Sequence, residues 1–336
     1  MYHPRLQSFG ALLVVDADCR CIQTTSTNLT RLIGFERPEH GQLTLACVLG
    51  KRLSQRVRRE LQGQQRLPGP LVFMRSKHRH ARFQIHAYRA GEQVIVEIEP
   101  LNPRSKRRLL GTVTERLRHL VEATHQQELL DCLVNAVQQL TGHDRVTVCH
   151  FDSDWHGLMV AEALGKRLPS LLGQRFPASD FPVALRKSYQ HSPVRLIEDV
   201  NAPTETLIPA VPGASLNGSF LRAPAPERQR YLNRLGVRGS FSLAIQGDTG
   251  LWGLVFCHSP VPHSVEPPVR DAVRTLVQMA TQRMLLLRAR QEARYLQRVQ
   301  DSLVLSARAR SEPQSPQQLL HEQAAIWMKL FRAHGV

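Results

Sequence analysis

Apolar and polar positions alternate along the first hundred residues, then shift to a helical period. GALLVVDADCRCIQTT (10–25) opens on a continuous apolar run, which predicts a buried strand. Asp16-Ala17-Asp18 supplies turn chemistry before a second strand. Residues 26–35 (STNLTRLIGF) predict a short helix stopped by Gly34. ARFQIHAYRAGEQVIVEIEP (81–100) is two alternating runs joined across Arg89-Ala90-Gly91, a hairpin signal. In its second arm Val94, Val96 and Ile98 share one face, with Gln93, Ile95 and Glu97 on the other. These elements make a small α+β domain.

Residues 101–108 (LNPRSKRR) break the pattern with a proline and a cationic run. From 112 to 141 the spacing is helical: Leu129, Leu130, Leu133, Val134, Val137 and Leu140 recur at three and four, and Gly142 closes the helix. RVTVCHF (145–151) alternates as a strand. Residues 165–238 read as loop-rich and hold many of the 21 prolines. Two strands return at 239–246 (GSFSLAIQ) and 251–258 (LWGLVFCH), joined through Gly247-Asp248-Thr249-Gly250. From Val269 the period predicts a helix of about thirty residues or more. Val273, Leu276, Val277, Ala280, Met284 and Leu287 form its apolar stripe, which Tyr295, Leu296, Val299 and Leu303 extend less regularly. Such a stripe fits either a helix laid on its own sheet or a seam that meets a second chain. SEPQSP (311–316) is expected to end the helix.

At 336 residues the chain has room for two domains. No apolar run approaches the ~20 residues that cross a bilayer. Asp16 and Asp18 follow the N-terminal apolar stretch where a secretory signal would need a small-residue cleavage site. The six cysteines form no C-x-x-C pair and no zinc spacing, and read as reduced thiols of a cytoplasmic protein. The formal charge is +16, of which +12 lies in residues 1–120. KRLSQRVRRE (51–60) and RSKHRHAR (75–82) carry no interleaved aromatics for base stacking, so this excess reads as a solvated face and not as a nucleic-acid interface.

No phosphate-binding glycine loop and no H-E-x-x-H motif occurs. Cys257 and His258 are neighbours on a strand, so their side chains leave on opposite faces and cannot share a proton. Another grouping converges. Ser240 and Ser242 lie two apart and project both hydroxyls from one face. Trp252, Leu254, Phe256 and His258 are expected to share a face of the next strand, and the proline-rich loops contribute Arg195 and Arg222. Arginine with paired hydroxyls suits a carboxylate or phosphate. An aromatic-lined cleft with few polar anchors suits a large, flat ligand with acidic arms. A satisfied core is the competing reading of the same residues.

RFPASDFP (175–182), LRAPAPERQRYLNRLGV (221–237) and LWGLVFCHS (251–259) resemble the signature segments of bacterial phytochromes, red-light sensors that carry a linear tetrapyrrole. DRVTVCHFDSDWHGLMVAEA (144–163) resembles the start of their GAF domain, and FQIHAYRAGEQVIVEIEP (83–100) the end of the preceding PAS domain. The resemblance implies an α+β chain with a PAS domain over 1–105 and a GAF domain over 106–290. A lasso insertion near 200–230 would be threaded by the segment around Leu6 as a figure-of-eight knot. Residues 291–336 would be a connecting helix and the start of a truncated PHY domain. The long helix would pair two copies as a homodimer, with PHY and histidine kinase output domains downstream in the full-length receptor. The chain itself would then be a sensor and no enzyme, with neither nucleic acid nor membrane as partner.

By the same resemblance, Arg195 and Arg222 fall where the family binds propionate side chains, with Ser240 and Ser242 assisting. Asp180 matches the aspartate whose backbone carbonyl accepts from pyrrole nitrogens. Phe176, Tyr189 and Tyr231 match ring-packing positions, and His258 matches the histidine facing the terminal ring's carbonyl. Three departures bear on the ligand. MYHPRLQSFG and RAPAPERQRYL hold no cysteine at either attachment position of the family, so biliverdin is expected to bind without a covalent bond. Arg228 stands for the family's histidine beneath the pyrrole nitrogens, and Cys149 for a tyrosine beside the terminal ring. A guanidinium there favours a neutral over a protonated tetrapyrrole. Weak, non-covalent biliverdin binding with poor red absorbance and little photoconversion is therefore expected, unless Arg228 turns out to solvent. The alternative is a chromophore-free, light-insensitive descendant. It would act as a redox sensor through Cys19 and Cys21 or through Cys149 beside Arg228, or as a dimerising scaffold.

Overall fold

The computed structural model describes residues 5–35, 42–75, 81–101, 106–209, 216–248 and 250–309, with 317, 324 and 328 singly beyond them. The first domain comprises β1 (Leu6–Gln7), β2 (Ala11–Asp16), β3 (Ile22–Ser26), α1 (Leu29–Ile33), α2 (Leu45–Leu49), α3 (Lys51–Glu60), β4 (Leu71–Arg75), β5 (Ala81–Ala90) and β6 (Gln93–Leu101). The apolar run at 11–15 is buried throughout, as its composition predicts. The Asp16 carboxylate accepts the Arg20 and Cys21 N–H groups and closes the turn to β3. Gly34 takes the left-handed φ of 61° that stops α1.

The chain continues through α4 (Lys106–Glu122), α5 (Gln126–Thr141), β7 (Arg145–Phe151), β8 (Gly157–Leu164), β9 (Arg175–Phe176), a 3-10 turn (Ala178–Asp180), α6 (Val183–His191), β10 (Val194–Ile197), β11 (Thr204–Glu205), β12 (Leu207–Ile208), α7 (Pro226–Arg234), β13 (Gly239–Gly247), β14 (Gly250–Ser259) and α8 (Pro267–Ala309). The single helical stretch expected over 112–141 is two helices. Thr124 donates its backbone N–H and its hydroxyl to the Glu128 carboxylate, while His125 Nδ1 accepts the Glu128 N–H. This reciprocal cap starts α5 afresh. The stretch expected to be irregular, 165–238, contains α6 and α7, the second opened by a proline in its first turn.

The second sheet runs β10-β13-β14-β7-β8-β9. One face of it, with Val146, Val148, Phe241, Leu243, Val255 and Cys257, packs under α4, α5 and α8 as the main core. The opposite face carries the candidate site. The first sheet runs β12-β3-β2-β6-β5-β4, so a strand from the later insertion extends it. That insertion also holds the N-terminus. β1 pairs with β11 on one side, while on the other Gln7 N–H donates to Leu221 O and Ala223 N–H to Arg5 O. Both arms of the insertion thus pair with the same segment; residues 210–215, over which the expected lasso would close, lie outside the described residues. Leu207, Leu216 and Leu221 cover Ile95, so the face of β6 opposite Val94 and Val96 is buried too.

In α8 the stripe Val273, Leu276, Val277, Ala280 and Met284 is buried in the core of its own domain. Tyr295 and Leu296 further along are 40% and 54% exposed. The first half of the stripe therefore belongs to its own domain's core, and the second half leaves apolar side chains exposed. The SEPQSP break falls outside the described residues, as does the segment beyond it apart from 317, 324 and 328.

Candidate functional site

Strand register assembles the site. Ser240 lies opposite His258 and Ile197, Ser242 opposite Phe256 and Arg195, Cys149 opposite Leu254, and Arg145 opposite His258. Directly paired residues point to one face. Arg195 therefore stands on a strand beside the serines, and not on a loop as the sequence implied. Trp252 leaves the expected face: Gly253 pairs with Ile245 but Leu251 with Gln246, and this bulge turns the indole to the helix side. There it stacks on the His150 ring at 4.3 Å.

The flanking segments add the remaining groups. The Tyr189 hydroxyl from α6 lies 2.7 Å from Ser242 Oγ. Phe176 comes from β9 and Asp180 from the 3-10 turn, both half-buried. From α7, the Arg228 guanidinium lies 5.0 Å from the Tyr231 ring centre and 5.8 Å from that of Phe256. Arg228 thus turns inward, against the outward orientation left open by the sequence. Arg222 sits in the lasso, bridged to Leu6, and its Nη1 donates to Asn217 Oδ1 at 2.9 Å. Cys149 is wholly buried, and burial pushes its thiol up to about 12. Burial thus disfavours the thiolate that redox sensing at Cys149 would use. Cys19 and Cys21 do not share a strand face. They precede β3, Cys19 in a turn at φ 55° that buries it in the first domain's core.

Sequence reasoning missed Arg145, Thr147 and Phe181. Strand alternation places Arg145 and Thr147 on the face of Cys149, a signal legible in RVTVCHF. Phe181 packs edge-on to Phe151 at 4.9 Å. A Cβ on Gly157 would fall 2.5 Å from Cys149 Sγ and 2.7 Å from the Phe181 ring, so glycine allows this close packing.

Arg145 is 1% exposed; it donates from Nη1 to Pro169 O at 2.7 Å and lies with Nη2 3.1 Å from His258 Nδ1. Arginine only donates, so Nδ1 accepts and the neutral imidazole carries its proton on Nε2. Burial, and then the charges of Arg145 and Arg228, hold His258 well below the usual histidine value. His258 Nε2, Thr147 Oγ1 and Arg145 Nε are all buried without a hydrogen-bond partner among the described residues. Nor does any carboxylate among the described residues form an ion pair with Arg145, Arg195, Arg222 or Arg228. The site is thus a donor-rich, cationic surface with aromatic walls. A groove of about 860 Å³ along α4 and α5 lies over the other face of the sheet, but its Arg116 is already bonded to Gln139 and its His125 to Glu128.

Comparison with known proteins agrees with this architecture. The PAS fold matches residues 3–101 and the GAF domain residues 125–285. Cyanobacterial phytochrome B of a Nostoc species is 29% identical over 289 residues, 83% of this chain and 38% of that protein. A bacteriophytochrome of Pseudomonas aeruginosa is 37% identical over 158 residues, 46% of this chain and 22% of that protein. The chain thus spans less than half the length of these relatives. The solved chromophore-binding domain of an unusual bacteriophytochrome from R. palustris superposes with a TM-score of 0.77 at 27% identity, covering 85% of this chain and 96% of that one. A longer structure of that bacteriophytochrome gives 0.87 at 26% identity, over 97% and 68%. With PAS and GAF domains in the order, fold and sequence of these relatives, the chain belongs to the phytochrome family as a PAS–GAF module.

Proposed function

We propose that this chain is the sensory module of a phytochrome-like receptor that binds a linear tetrapyrrole, biliverdin, weakly and without a covalent bond on the β13–β14–β7 face. The observation that carries this reading is the buried, unpartnered Nε2–H of His258, a fixed donor suited to a ring carbonyl. Arg195 and Arg222, with Ser240 and Ser242, supply charge-assisted donors for two propionates. Phe176, Tyr189 and Tyr231 supply ring-packing surface, and the Asp180 carbonyl an acceptor for pyrrole N–H groups. The tetrapyrrole, when bound, supplies the absorption of visible light. The protein orients it and sets its protonation. Arg228, stacked inward on Phe256 and Tyr231, disfavours a cationic ligand. The residues therefore fit a neutral tetrapyrrole better than a protonated one.

A dimerising role accompanies this reading. Leu110 and Val121 on α4, and Met279, Leu286, Tyr295 and Leu296 on α8, are exposed apolar positions suited to a second copy. No helix among the described residues is long and apolar enough to cross a membrane. A biliverdin titration followed by absorbance tests the reading. Saturable binding, with all pigment released on denaturation, is expected. A chain that takes up no biliverdin would instead support the chromophore-free scaffold.

A further inference from the structure

We infer that Arg145 is a positioning residue for the ligand site: it locks the His258 ring as the Nε2–H tautomer and so dictates that the ligand edge meeting this strand is a hydrogen-bond acceptor. The inference deepens the tetrapyrrole reading and rests on it for the identity of the ligand. It stands on geometry. Arg145 and His258 are cross-strand partners on β7 and β14. The Pro169 carbonyl holds one end of the guanidinium at 2.7 Å, so the other end is aimed at Nδ1, 3.1 Å away.

A guanidinium cannot accept, and Nδ1 therefore cannot carry a proton in this pair. The consequence is directional. The imidazole's only N–H is the buried and unpartnered Nε2. Such a donor costs free energy until an acceptor reaches it, so the site selects for a carbonyl or carboxylate oxygen and against a donor. The charged and titratable groups facing His258 are Arg145 on β7, Arg228 on α7 and His143 ahead of β7. All three oppose its protonation, and the ring keeps one tautomer across the physiological range.

Long-range proton–nitrogen NMR of protein carrying ¹⁵N-histidine, with the His258 signal assigned by His258→Gln, reads the tautomer without any ligand. The wild type and Arg145→Lys, which keeps a donor and the charge, should show a protonated Nε2, a bare Nδ1 and no titration between about pH 5 and 8. Arg145→Met should show mixed tautomers, and should bind biliverdin about tenfold more weakly. A single Nε2–H tautomer persisting in Arg145→Met would overturn the inference, as would an Nδ1–H ring in the wild type. Biliverdin that binds by absorbance yet leaves the Nε2 signal unmoved would also overturn it. Should biliverdin not bind at all while the tautomers behave as described, the positioning role stands and the tetrapyrrole reading fails instead.

Discussion

Two buried arginines in this molecule have opposite surroundings. Arg270 on α8 is 2% exposed, and its guanidinium lies 2.6 Å from the Glu99 carboxylate of the PAS sheet. It also covers the lasso residue Phe220 at 4.6 Å, whose ring faces His86 at 5.7 Å. Arg145 is buried as deeply, yet its partners are a carbonyl and an imidazole. Removing a charge from water demands compensation. Where the chain supplies the anion, the arginine acts as a rivet joining PAS domain, lasso and long helix. Where its direct partners are neutral groups and the Glu162 carboxylate acts only from a distance, the buried guanidinium and its imidazole partner favour an acceptor from outside.

Breaking the rivet should produce the largest effect. Glu99→Met leaves Arg270 buried without its anion and should cost about 3–5 kcal/mol in urea unfolding. Glu99→Met with Arg270→Met should recover most of that loss; a double variant as unstable as the single one would break the comparison. Glu97, beside the rivet, accepts the Phe220 N–H at 3.4 Å, and burial pushes its carboxyl up to about 7 from an ordinary 4.5. The folded state then binds more protons than the unfolded one between those values. Stability should fall as pH rises through this window, by on the order of 3 kcal/mol, and Glu97→Gln should flatten the fall. His86 contributes in the opposite sense. Burial lowers its value to about 3, so its contribution is lost as pH falls below about 6.5. The difference between wild type and Glu97→Gln isolates the carboxyl.

Arg145→Met orphans an imidazole nitrogen and a carbonyl but no carboxylate. It should cost about 1–3 kcal/mol, less than Glu99→Met, in the same unfolding assay. Arg228→His should change stability least, within about 0.5 kcal/mol. Its effect should appear in the ligand: with the guanidinium gone, the apparent pKa of bound biliverdin should rise by about one unit or more, and red absorbance with it.

Much of the fold was legible because it rests on local rules. The strand alternation at 81–100 and the glycine stops at 34 and 142 hold in the structure. The register of the site followed from a period of two for Ser240, Ser242 and His258. The same period placed Arg145 beside Cys149, although its chemistry emerges only once His258 is its cross-strand partner. Long-range contacts decided the rest. The bulge that turns Trp252 away depends on pairing between two strands. The inward course of Arg228 depends on rings from α7 and β14 meeting. Glu99 and Arg270 are 171 residues apart and join only when the lasso and α8 close on the PAS sheet.

The central claim is that the cationic ligand site takes a tetrapyrrole without a covalent bond and keeps it neutral. The red-minus-far-red difference spectrum of biliverdin-loaded wild-type protein tests it most directly, with Arg228→His measured alongside. The account predicts a weak red band and little photoconversion in the wild type, and a stronger red band in Arg228→His. A strong, reversible red/far-red difference in the wild type would contradict it.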